Sequence, residues 1–67
     1  MPSSVIRAFD YRPATCELEI LFTTGRRYVY FDVPSSTASA LRAAPSKGRY
    51  FNARIRDRYR FAEQAGG

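Results

Sequence analysis

Arg27-Tyr28-Val29-Tyr30-Phe31-Asp32-Val33-Pro34 is the stretch that decides how the rest of the chain is read. It is the densest run of aromatic and β-branched residues, the types that fit a pleated, half-buried surface. Pro34 closes it, because proline has no N–H to give to a ladder. The run reads as the last strand of a three-stranded antiparallel meander. Upstream, Cys16, Leu18, Ile20 and Phe22 alternate with Glu17, Glu19 and Leu21, and this period of two predicts a strand whose first set faces the core. The same pattern reads Cys16 as an inert core thiol in a reducing compartment. Residues 4–11 alternate more loosely, with Ile6 and Ala8 on one side and Val5, Arg7 and Phe9 on the other, and predict a first strand without deciding its buried face. Arg12-Pro13-Ala14-Thr15 joins the two strands by a proline-preset turn.

Thr23-Thr24-Gly25 makes the second turn, with Gly25 supplying a positive φ, and its length sets the register. A two-residue loop places Arg27, Val29 and Phe31 opposite Leu18, Ile20 and Phe22. A three-residue loop with a bulge at Gly25 places Tyr28 and Tyr30 there instead. Thr-Gly is not the Asn-Gly that favours the shorter loop, so the balance tips to the longer one.

Helical patterns follow Pro34. Ser35 and Ser36 are candidate N-caps of a helix running to about residue 44, along which Ala38, Leu41 and Ala44 form a narrow apolar stripe. Pro45 ends it. Ser46 can cap a second helix, in which Phe51 and Ile55 share a face with Tyr50 at its edge, while Arg49, Asn52, Arg54 and Arg56 make up the polar remainder. From Asp57 onward, Tyr59 and Phe61 alternate with Arg58 and Arg60, which predicts an extended basic tail returning over the core and fraying at 64–67. The expected fold class is therefore α+β: a three-stranded meander, two short helices and a basic tail, in one domain over residues 1–67 with an ordered core of about 3–61.

At 67 residues, the chain has room for one small core. A single cysteine rules out an intrachain disulfide, and with no histidine there are almost no ligands for zinc, so no metal or cofactor is expected. No apolar run approaches the length of a membrane span, and Met1-Pro2-Ser3-Ser4 lacks the basic start of a secretory signal, so the expected location is cytoplasmic.

The net charge of +5 is unevenly placed. Up to Leu41, four arginines balance four acids, whereas Arg42, Lys47, Arg49, Arg54, Arg56, Arg58 and Arg60 face Asp57 alone. Ten of the eleven basic residues are arginine, whose planar fork suits phosphate oxygens. Lys47, Arg49, Arg54, Arg56, Arg58 and Arg60 are therefore candidate nucleic-acid contacts through counterion release, against the plainer reading of a solvated, arginine-rich face. Tyr28 and Tyr30, or Val29 and Phe31, can form a sheet platform for unpaired bases. Against that, a chain this small needs large rings in its core, Phe22, Phe51 and Phe61 above all. Ser46, Lys47 and Gly48 open a helix where free N–H groups and two cations can hold one phosphate, or simply form a serine cap. The chain has no histidine and no paired carboxylates beside a nucleophile, and it does not read as an enzyme.

Tyr28-Val29-Tyr30, then Phe31-Asp32-Val33-Pro34, then Ala44-Pro45-Ser46-Lys47-Gly48-Arg49-Tyr50-Phe51-Asn52 and Ile55, together resemble the KTSC domain over roughly residues 3–60. That family takes its name from a C-terminal extension of certain lysyl-tRNA synthetases and also occurs as free-standing short bacterial proteins. The resemblance makes Tyr28, Tyr30, Ser46, Lys47 and Gly48 the signature positions and implies RNA binding. The sequence departs from the family pattern in the small side chains of its first helix and in Arg60, which stands where a proline is expected. The expected partner is RNA or another single strand. The alternatives are an adaptor that docks on an acidic protein, or a weak homodimer through a free strand edge.

Overall fold

In the computed structural model, which describes residues 6–64, the 23–25 connection takes the longer of the two expected forms. Phe22 receives the Gly25 N–H on its carbonyl and donates its own N–H to Arg26 O, both at 2.9 Å, and Gly25 has φ +93°. Strand β2 (Glu17–Phe22) therefore pairs with β3 (Arg27–Tyr30) so that Leu18 faces Tyr30 and Ile20 faces Tyr28. One loop residue thus decides that both tyrosines, and not Val29, share the face of Leu18 and Ile20.

The first strand, β1 (Ile6–Arg12), explains why its alternation is loose in the sequence. Ile6 pairs with Phe22 but Ala8 pairs with Leu21, so Arg7 is the extra residue of a bulge. A bulge resets the phase of the pleat, which puts Ile6, Phe9 and Tyr11 together on the inner face, where strict alternation separates Ile6 from Phe9. The part of the expected strand at residues 4 and 5 lies outside the described residues.

Two helices cover this inner face. In α1 (Ser35–Ala43), Ala38 and Leu41 are buried, as their spacing predicts. Its N-cap, however, is Pro34, and neither Ser35 nor Ser36 caps it. Pro34 O already accepts the N–H groups of Thr37 and Ala38, so both serines lie within the first turn. The helix stops before Ala44, which is extended because it precedes Pro45. In α2 (Lys47–Arg54), the expected cap is present: Ser46 Oγ accepts the Arg49 N–H at 3.4 Å. Phe51 and Ile55 then join Leu18, Ile20, Tyr30, Val33 and Leu41 in one buried cluster.

The tail corrects the expected strand count. Residues 61–64 form a fourth strand, β4 (Phe61–Gln64), antiparallel to β3, so the sheet is four-stranded in the order β1-β2-β3-β4. Phe31 N–H donates to Arg60 O at 2.9 Å just before the ladder begins, which leads the chain into register. Residues 1–5 and 65–67 of the expected single domain lie outside the described residues. No helix among the described residues is long and apolar enough to cross a membrane.

Cys16 is the second correction. It belongs to the turn and not to the strand, because Arg12 pairs with Glu17 and leaves residues 13–16 as the loop. The last loop residue must turn left-handed to close the hairpin, and Cys16 does so at φ +58°, half-buried. Its carbonyl accepts the Val33 N–H at 2.9 Å, while Tyr11 donates its hydroxyl to Val33 O at 2.6 Å. Together they pin the β3–α1 connection against the sheet. Cys16→Val should therefore destabilise the protein by about 1–2 kcal/mol, since a β-branched residue resists positive φ. If thermal melting showed the valine variant equal to or above the parent, Cys16 would be the strand residue its alternation suggests.

Candidate nucleic-acid interface

On the open face of the sheet, away from the helices, Glu17 and Glu19 are held by arginines of the sheet itself. Arg12 reaches Glu17 at 3.5 Å and Glu19 at 2.8 Å, and Arg27 reaches Glu19 at 3.3 Å. A groove of about 300 Å³ on this face is lined by Ala8, Asp10, Glu19, Leu21 and Arg27 among others, and its two carboxylates disfavour phosphate.

The basic segment, Arg60 apart, lies in the helices and the turn that follows them. Arg42 lies in the last turn of α1, Arg49 and Arg54 are exposed on α2, and Arg56 and Arg58 are exposed in the turn that leaves it. That turn is made as Phe51 O receives the N–H groups of both Ile55 and Arg56 and Ile55 O receives that of Arg58. Among the described residues, Arg60 alone of this segment forms an ion pair, with Asp32 at 3.7 Å. Both partners are more than four-fifths exposed, at 84% and 83%, so water and salt compete freely with the pair. The carboxylates of the sheet do not neutralise the segment.

Lys47 is placed differently from the arginines. Its ammonium turns back onto Ala44 O at 3.4 Å, while Ser46 Oγ is engaged by the Arg49 N–H. The Arg49 N–H, one of the groups free at a helix start, is thus used by the cap. Ser46, Lys47 and Gly48 thus form a serine-capped helix start.

The aromatics exchange roles relative to expectation. Tyr30, a candidate stacking platform, is 3% exposed, with its ring edge-on to Phe51 at 5.3 Å. Burial pushes its hydroxyl up to about 12. A ring so enclosed cannot take a base, and this correction follows from the three-residue loop that turns Tyr30 inward. Tyr28 is half-buried, edge-on to Phe22 at 5.6 Å. Phe61, expected in the core, is 53% exposed and is the one exposed large hydrophobic residue among those described. Its ring lies 5.5 Å from Tyr28 and 5.3 Å from Tyr30. Two residues on in β4, Glu63 pairs with Arg26 at 3.7 Å, and Arg26 also interacts electrostatically with Tyr28. Phe61 does not stand out in the sequence, because only the pairing of β4 with β3 sets its ring against Tyr28 and Tyr30. The described residues hold no group of three His, Cys, Asp or Glu able to bind a metal.

Known proteins are similar to this chain in sequence and in fold. Residues 2–59 match the KTSC domain. A lysine–tRNA ligase of Nostoc punctiforme is 43% identical over 60 residues, 90% of this chain but 11% of the ligase, so the chain spans about a tenth of that relative's length. A protein of Tsukamurella paurometabola is 41% identical over 58 residues, 87% of each chain. The crystal structure of a KTSC domain protein from Yersinia pestis superposes with a TM-score of 0.85 at 30% identity, covering 97% of this chain and 90% of that one.

Proposed function

Because the chain belongs to the KTSC domain family, and the cations from Arg42 to Arg58 form no ion pair among the described residues, we propose that it is a non-enzymatic RNA-binding module of the cytoplasm. The observation that carries the reading is the exposed segment from Arg42 to Arg60, in which one weak ion pair engages one of seven cations. Such an array releases condensed counterions when it meets a phosphate chain. The ligase relatives, which by name act on a tRNA, are consistent with this choice of polyanion. Arg49, Arg54, Arg56, Arg58 and Arg60 are the proposed contacts, with Arg42 extending the row. Lys47 contributes charge from a position already bonded to Ala44 O.

The test is a salt titration. Log affinity for a short RNA should fall linearly with log salt, and Arg54→Ala with Arg56→Ala should reduce the slope by about 1.4, at about 0.7 per lost phosphate contact on a single strand. Affinity at low salt should drop roughly tenfold while the melting curve stays in place, since both side chains are exposed. No binding at either low or high salt would remove the proposal. A stoichiometric protein recovered from nuclease-treated lysate would then favour docking on an acidic partner, with Phe61 as the apolar anchor.

A further inference from the structure

The helix layer stops short of the last strand. Phe51 of α2 covers Phe22 and Tyr30, with ring centroids at 5.4 and 5.3 Å, while beyond them Phe61 is left more than half exposed. We propose that Phe61, backed by Tyr28 and Tyr30, on which Arg26 and Arg56 act in turn, is a stacking site for one unpaired base, which makes this module selective for single strands over duplexes.

A stacking platform must be open on one side and stiff on the other. Phe61 meets both conditions: two rings support it at 5.5 and 5.3 Å, and one of these, Tyr30, is itself locked in the core. Little side-chain freedom remains to be lost when a base arrives. Arg26 interacts with the Tyr28 side chain, and Arg56 lies near enough to Tyr30 to act on its hydroxyl electrostatically, as does Asp57 in the opposite sense. The nearby carboxylate of Glu63 is already opposed by Arg26.

An apolar protein side chain seated on Phe61 would have to desolvate those guanidinium groups without pairing them. A nucleotide brings a π-face for the ring and a phosphate for the guanidinium groups in a single unit. A base stacked inside a duplex shows neither face, so the site admits single strands, loops and ends.

The inference rests on the RNA-binding reading, and its test separates the two. Fluorescence anisotropy would compare a labelled adenosine-rich single strand with a blunt RNA duplex of equal length, using the full chain and its variants. Phe61→Ala should weaken single-strand binding at least about 5-fold, with the salt slope and the duplex affinity unchanged. Phe61→Leu keeps an apolar side chain in the strand but has no π-face, and should weaken it as well. Phe61→Tyr should bind as the parent does. Parent-like single-strand affinity in both Ala and Leu variants, with RNA still bound, would overturn the stacking site and leave the phosphate-binding role standing. Equal parent affinity for single strand and duplex would also overturn it. Failure of the parent chain to bind either RNA at low salt would overturn both.

Discussion

Phe51→Ala should leave about half of the protein unfolded at room temperature. Phe51 is 2% exposed and sits where the helix layer meets the sheet, edge-on to Phe22 at 5.4 Å and to Tyr30 at 5.3 Å. Truncating a buried phenylalanine to alanine costs about 3–5 kcal/mol, from lost transfer energy and from the cavity that remains. A chain of this size has about 3–5 kcal/mol of core stability to lose. The two are equal in scale, so the net stability should fall to about zero. Urea denaturation followed by circular dichroism measures this directly, and a midpoint close to the parent's would show that α2 does not hold the sheet as described. The contrast with Phe61 is informative. Both residues are phenylalanines touching Tyr30, yet Phe61→Ala removes a ring already half in water and should cost about 1 kcal/mol or less of transfer energy. One ring supports the fold, and the other is free for a ligand.

That difference between two like residues also marks what could be read without coordinates. The inner set Leu18 and Ile20, the pair Phe51 and Ile55, the Ser46 cap and the inward turn of Tyr28 and Tyr30 all follow from local periodicity and one glycine. Each depends on residues close together in sequence. Phe61-Ala62-Glu63-Gln64 is the opposite case. Alanine, glutamate and glutamine favour helices, and no residue of this strand is buried, so neither propensity nor pattern announces β4. It is a strand because β3 offers a free edge, and that edge is defined only after the meander has formed. The Arg7 bulge and the left-handed Cys16 are hidden for a related reason: each follows from pairings across a hairpin. The candidate site divides in the same way. Its charge is visible in the sequence from Arg42 to Arg60, whereas its exposed ring belongs to the strand that pattern does not reveal.

Ending the chain after Arg60 should therefore be nearly as damaging as opening the core, although β4 is exposed along its whole length. Its contribution lies in what it covers. Val29 and Tyr30, each 3% exposed, occupy an interior strand only because Ala62 and Phe61 pair with them. Without β4, β3 becomes an edge four residues long, its outward N–H and C=O groups return to water and Tyr30 loses one of its two ring partners. Ladder hydrogen bonds at about 1 kcal/mol each, with apolar surface newly exposed at about 25 cal/mol per Å², put the loss on the order of 3 kcal/mol. A tail merely draped over the helices, with every residue in solvent, would cost a few tenths of a kcal/mol at most when removed. Thermal melting of the truncated chain separates these outcomes, and an unchanged midpoint would return residues 61–64 to the status of a tail. The same variant lacks Phe61 but keeps Arg42 to Arg60. Whatever fraction remains folded should retain the salt-dependent attraction to RNA and lose the preference for unpaired strands.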